Sequence, residues 1–322
     1  MMMRPRSSAV IAALVVLALV AVPLVLPADS ANVLSRVLAL ALLAVSLDLL
    51  VGVSGMPSLG HAAPFGVGAY TAALVTRDVD AFAPVPLLAA VVTGGLFALL
   101  TGVLMVRTKG TYFLMLTLAV AELTHVLALR WDGLTGGSNG LYGIPSITLA
   151  PGGEAVTLAG IRYWWILLVF LLGFAIIWWT SRTTLGRSLR GLRDNEERMA
   201  SIGYDTFRLK LAVYAIAGAV AGAAGSMWVA QARFVSPADL GFEVSAMALL
   251  AVVLGGRGRL WGAVLGAAVV TIVRDDIGAV LGGRGPLLLG VVFILAVYLL
   301  PRGFAGTDWR GLLTRRTQEK SA

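Results

Sequence analysis

No cysteine occurs anywhere in the 322-residue chain, which excludes disulfides, thiolate metal centres and cysteine nucleophiles. Histidine is nearly as scarce. His61 and His125 are the only two, too few to hold a zinc ion by themselves. No GxxxxGKS or GxxxxGKT segment is present, so the chain does not itself hydrolyse a nucleotide, and any ATP-driven activity must come from a partner. Paired acids, a nucleophile motif and a metal cluster are also missing, which argues against an intramembrane enzyme. Charge is sparse at 13% of residues, where soluble domains carry about a quarter.

Apolar residues fill the space that charge leaves: 58% of the chain is hydrophobic and the mean hydropathy is +0.89. Such a chain lives in a bilayer, and its length reads as a set of spanning helices around one embedded core. The net charge of +8 does not mark a nucleic-acid binder, because the basic residues fall between hydrophobic runs and form no basic domain.

A short basic start, residues 1–6, precedes an apolar run at 9–26 that is long for a removable signal and reads as an uncleaved anchor. Further apolar runs lie at about 33–53, 62–76, 86–106, 111–129, 163–180, 209–230, 243–256, 260–273 and 286–300. Several approach the ~20 residues that a helix needs to cross hydrocarbon. With both termini in the cytoplasm, the inner segments hold 18 of the 25 Lys and Arg. The outer ones hold Arg77, Arg130, Arg162, Arg233, Arg274 and Arg284, with Arg36 near a helix end. This asymmetry obeys the rule that basic residues stay inside. The expectation is an all-α polytopic membrane protein of about ten transmembrane helices.

One run is irregular. SGMPSLGHAAPFGVGAY, at 54–70, carries two prolines and four glycines, so one straight lipid-facing helix is not expected. Close packing through small residues, as at the GxxxG pairs Gly218/Gly222 and Gly262/Gly266, and a broken helix beside a pathway both account for it. Gly-Gly-Arg-Gly recurs at 255–258 and 282–285 and reads as turn chemistry. The outer segment TGGSNGLYGIP, 135–145, is either a vestibule or docking surface or a plain connection.

Inside the predicted fifth span, Glu122 and His125 stand three residues apart on one face. Stranding a charge at that depth costs several kcal/mol. A proton relay is one reading; a pair that holds helices together is the favoured one, and Asp48 is read the same way.

The charged block at 181–210 is the chain's main soluble feature, with seven basic residues and four acids. Leu185, Leu189, Leu192, Met199 and Ile202 recur as one apolar helical face, with Arg187, Arg190, Asp194, Glu197 and Arg198 elsewhere. Gly203 supplies a stop. The acids Asp194, Glu196 and Glu197 suit a basic protein surface better than anionic headgroups.

Taken in order, SGMPSLGHAAPFGVGAYTAAL, GTYFLMLTLAVAEL, TGGSNGLYGIP, TTLGRSLRGLRDNEERMASIGYD, LAVYAIAGAVAGAAGSMW, VVLGGRGRLWGAVLGA and LLPRGFAG resemble the branched-chain amino-acid ABC importer permeases of the LivM type. The likeness runs from about residue 48 to 303. It implies a single permease domain over 1–322, a cytoplasmic loop at about 181–210, a cytoplasmic tail at about 302–322 and a place in the bacterial inner membrane. It implies further that 187–203 forms an amphipathic coupling helix seated in an ABC ATPase, with Arg187, Arg190, Arg193, Asp194, Asn195, Glu196, Glu197 and Gly203 as its residues. Glu197, Ala200 and Gly203 echo the opening of the EAA loop of other importers, without its Ile-x-Leu-Pro continuation. Pro64 stands where such permeases are expected to carry an aromatic or aliphatic residue. The implied partners are a LivH-like second permease, two cytoplasmic ATPases that bind ATP and Mg, and an extracytoplasmic solute-binding protein. No cofactor is implied for this chain. Expected solutes are leucine, isoleucine and valine, with urea or short amides as the alternative. Ser58, His61, Tyr112, Thr117 and Glu122 are the expected polar groups of the pathway. A proton-coupled secondary transporter using Glu122 and His125 is the competing class.

Overall fold

A computed structural model describes residues 15–24, 27–277, 285–299 and 303–304. The basic start, most of the tail and the second Gly-Gly-Arg-Gly up to Arg284 lie outside the described residues. The described part is helical, with isolated β-bridges only. In chain order the α-helices of six or more described residues are α1 (Val15–Leu24), α2 (Ala28–Asp48), α3 (Ala62–Asp78), α4 (Pro84–Met105), α5 (Gly110–Arg130), α6 (Ala159–Arg182), α7 (Thr184–Asp194), α8 (Glu196–Ser201), α9 (Thr206–Ala232), α10 (Phe242–Gly255), α11 (Leu260–Thr271) and α12 (Gly285–Leu299), with a single turn at Asp132–Thr135.

Five described helices are long and apolar enough to cross a membrane: α2 with its extension to Val53, α4, α5, α6 and α9. The expected spans over 243–256 and 260–273 form α10 and α11, of 14 and 12 residues. At 1.5 Å per residue each reaches only about 20 Å, short of the ~30 Å hydrocarbon layer. Irregular turns lengthen them: Pro237–Leu240 before α10 and a π-helical turn, Ile272–Ile277, after α11.

Burial sorts the helices. The hydrophobic window of α2 is 89% buried, whereas those of α4 and α5 are 22% buried, so α2 is the axis and the other two lie at the periphery. Helix α9 packs on α2, α3 and α4. Their crossing depends on glycine: Gly68 of α3, Gly94 of α4 and Gly222 of α9 meet backbone to backbone, leaving no room for a Cβ on any of them. Gly255 and Gly262 do the same between α10 and α11. The packing expected of the GxxxG pairs is therefore present, as dispersion contact in a medium where burial from lipid gives little driving force.

Contacts divide the loops into two ends. One gathers the α2–α3 link, Lys109, the 256–259 turn, Phe304 and α7–α8; Phe304 N–H donates to Leu254 O at 2.7 Å. At the other, Leu141 and Val235 exchange backbone bonds of 2.8 and 3.1 Å. Here too Asn32 accepts from Arg162 at 3.0 Å and from Gln231 at 3.1 Å. Arg36 belongs to this second end, 3.4 Å from Asp275. The grouping is the one that the basic-residue count implies.

Gly222→Val is expected to destabilise the fold by about 1–3 kcal/mol through overpacking, seen as a lower melting temperature in detergent. Gly133→Ala, whose Cβ meets nothing within 4 Å, should leave it unchanged.

Candidate coupling face and the broken-helix core

The α2–α3 link is a broken helix. The π-helical turn Leu49–Val53 extends α2, residues 54–60 are non-helical, and α3 starts at Ala62. Most of the link is buried, so its freed backbone groups need protein partners, and partners are found along it. Met56 N–H reaches Leu50 O at 2.8 Å. Leu59 N–H reaches Thr117 Oγ1 at 3.2 Å, Gly60 N–H reaches Ser58 Oγ at 3.2 Å, and Ala62 N–H reaches Ser245 Oγ at 2.8 Å. His61 Nε2 pairs with Ser46 Oγ at 2.8 Å. Asp48 Oδ1 accepts from Gly258 N–H at 2.8 Å, made possible by the close approach of Gly52 to Gly258.

The charged block forms two helices. The single helix expected over 187–203 is interrupted at Asn195, whose backbone is extended at φ −161° and ψ 102° and whose side chain accepts Arg198 N–H at 2.9 Å. Asparagine is a strong N-cap, and Glu196 and Glu197 in the next turn complement the helix dipole, so a new helix starts there. Leu189, Leu192 and Met199 are buried, but Ile202 is 64% exposed and falls off the expected apolar face. Gly203, at φ +92°, ends α8 in the left-handed region that glycine tolerates best.

This pair of helices is tied to the broken link. Arg193 Nη1 donates to Gly52 O, inside the π turn, and its stem lies on Gly55. Arg190 Nη1 donates to Ser181 O at 2.8 Å. Glu196 accepts from Lys210 Nζ of α9 at 2.6 Å and lies 3.5 Å from Lys109 Nζ. Arg187, Asp194, Asn195 and Glu197 point outward and are exposed; Asp194 keeps 74% of its side chain open although Arg193 Nε is 3.8 Å away.

The five expected pathway residues separate into two groups. Ser58, His61 and Thr117 are buried to 1% exposure or less and hold the broken link. Tyr112 and Glu122 lie on the open face of α5, with Tyr112 78% exposed. Glu122 Oε1 is 3.3 Å from His125 Nδ1.

Residues 30–300 match the family described as branched-chain amino acid transport system / permease component. The chain belongs to that family. It is 31% identical over 314 residues to the high-affinity branched-chain amino acid transport system permease protein LivM of Salmonella typhimurium, covering 90% of this chain and 73% of that one. LivM of Escherichia coli is 30% identical over 318 residues, with the same coverage. Identity to the ribose import permease protein RbsC of Haemophilus influenzae is 23% over 286 residues, 86% of this chain and 85% of the relative. No solved structure matches.

Several residues that organise this permease escape sequence reasoning. Ser46, Gly52, Lys109, Lys210 and Ser245 lie in ordinary-looking spans or turns. Leu59–Thr117, Ala62–Ser245 and Asp48–Gly258 join positions 58, 183 and 210 residues apart, beyond any local pattern. Lys210 carried the one available signal, a cation at the start of a span, where it is expensive unless paired. Lys210→Met is expected to destabilise the permease by about 2–3 kcal/mol, below the ~3–5 of fully buried pairs because Glu196 keeps some solvent and Lys109. Adding Glu196→Gln should restore part of the loss, read as the melting temperature of the double variant in detergent.

Proposed function

We propose that this permease is one of two membrane subunits of an ATP-driven importer, lies in a bacterial inner membrane with both termini in the cytoplasm, and carries branched-chain amino acids. The observation that supports it most directly is the α7–α8 pair: an exposed charged tip whose base is bonded to the axis helix. A basic pocket on a cytoplasmic ATPase would meet Asp194, Asn195 and Glu197, flanked by Arg187. When the ATPases close on ATP, displacement of α7–α8 acts on Gly52 through Arg193 and on α9 through Glu196 and Lys210. The π turn and the irregular link are the yielding elements between two arrangements of the bundle, which nucleotide populates by differential contact.

The second permease belongs against α5. Helix α4 turns Leu88, Val92, Leu96, Leu100 and Leu104 outward, a face that suits lipid. The open face of α5 is also largely apolar, with Met115, Leu123 and Leu127, but it adds Tyr112, Glu122 and the partly buried His125, and a polar pair at mid-span is better placed on protein or water. The pathway therefore runs between α5 and its counterpart, with Tyr112 and Glu122 lining it, while Ser58, His61 and Thr117 keep its wall in shape. Delivery of the solute by an extracytoplasmic binding protein leaves the pathway needing few ligands. Amino acids are favoured over sugars because the LivM relatives are more similar than the ribose permease.

Two measurements test this. Glu197→Lys, at an exposed tip, should lower transport-linked ATP hydrolysis at least tenfold in the assembled complex while membrane insertion stays normal; unchanged coupling would count against the docking role. In vesicles carrying this subunit alone, no leucine uptake is expected. Uptake there without ATPases would point to the proton-coupled class instead.

A further inference from the structure

At the end of the bundle opposite α7–α8, a cavity of about 290 Å³ opens between α2, α9, α10 and the turn that follows α11. It holds roughly ten waters' worth of space. One wall is apolar: Leu40, Phe65, Val244 and Met247. The rest carries both signs of charge in an alternating chain. Arg36 lies 3.4 Å from Asp275, and Arg274 lies 4.0 Å from Asp275 and 3.0 Å from Glu243. Asp239 stands apart from that chain, held by Ser236 N–H at 2.8 Å.

Three carboxylates against two guanidinium groups leave the lining one negative charge in excess. Burial pushes the Asp239 carboxyl above its ordinary range, with Ser236 and Arg274 opposing, so an added cation would be welcome beside it. Trp228 Nε1 is buried and faces the same carboxylate, short of a full hydrogen bond. Thr271, only 5% exposed, lines the cavity with a buried hydroxyl that has no partner. A buried polar atom without a partner is unfavourable, and a ligand able to pair with it recovers that loss.

We propose that this cavity is a solute site of the permease, separate from the open face of α5 and joined to that helix by Pro237–Leu240, which lines the cavity and packs on α5, and that it takes a small zwitterion with a primary ammonium and a carboxylate on an aliphatic body. The ammonium sits between Asp239 and Glu243. Its carboxylate takes the Thr271 hydroxyl and Arg36, and its body lies on Phe65, Val244 and Met247. The identity of the zwitterion as an aliphatic α-amino acid rests on the importer reading; the site itself rests on the cavity.

The absence of cysteine from this chain makes a direct test available. Val244→Cys, in the assembled complex in right-side-out vesicles, is exposed to a membrane-impermeant maleimide. Labelling is expected, slowed at least fivefold by millimolar L-leucine but not by isovalerate, which lacks the ammonium, or isoamylamine, which lacks the carboxylate. Thr271→Val in the same background should raise the leucine concentration needed for protection at least fivefold. Met247→Cys serves as a second reporter if Val244→Cys fails to assemble. No labelling, labelling indifferent to leucine, or equal protection by isoamylamine would overturn the site. ATP-dependent leucine uptake on the same vesicles separates the two proposals. Uptake without protection removes the cavity site alone, and protection without uptake removes the importer reading alone.

Discussion

A backbone that leaves helical geometry where protein shuts out water must find its hydrogen-bond partners within the protein, and the largely buried stretch between Val53 and Ala62 is where this chain meets that demand. Two side chains supply backbone partners from outside the stretch, Thr117 on α5 to Leu59 N–H and Ser245 on α10 to Ala62 N–H, while Ser46 on α2 pairs with the His61 ring and Arg193 on α7 donates to Gly52 O just before it. The break thereby gathers the molecule around itself. α3 can start in the interior only because Ser245 takes Ala62 N–H, and α10 reaches Ser245 only because Pro237–Leu240 carries the chain back into the bundle before the helix begins.

The same demand explains why the charged loop is not an independent appendage. Arg193 satisfies a carbonyl that the π turn leaves open, so the loop's position and the helix's irregularity are parts of one arrangement. Lys210 and Glu196 add a second attachment, to the helix whose glycines pack against α3 and α4. A displacement applied at the exposed tip therefore meets rigid, glycine-packed helices on one side and a bonded but irregular link on the other. The link is the weaker of the two, since several of its hydrogen bonds are to side chains, which can be exchanged without unwinding a helix.

Much was legible in the chain itself. Hydropathy located the long helices, because spanning hydrocarbon requires apolar length. Gly218, Gly222, Gly262 and Gly266 announced close packing by spacing alone. Prolines and glycines at 54–70 pointed to irregularity, with packing and a broken helix left as equal readings; the structure shows the break, with Gly68 in the packed crossing. The charged block was recognised, yet read as one helix, because apolar spacing continues through Asn195 while the capping chemistry of Asn-Glu-Glu restarts the helix. Ser58, His61 and Thr117 are expected pathway groups because polar residues in a span are usually functional; Ser58 and Thr117 also accept backbone N–H groups of the link, and His61 pairs with Ser46.

Sequence by itself determined the class of this protein, its long apolar helices and the loops in which its basic residues gather. Those follow from transfer free energies and charge placement, which are local properties of a chain. Tertiary structure decided which polar residues stand exposed and which face the chain's own backbone, and it alone brought Arg36, Asp239, Glu243, Thr271 and Arg274 around one cavity. Those residues are scattered over most of the sequence, and nothing in local spacing encodes that the helices carrying them will meet.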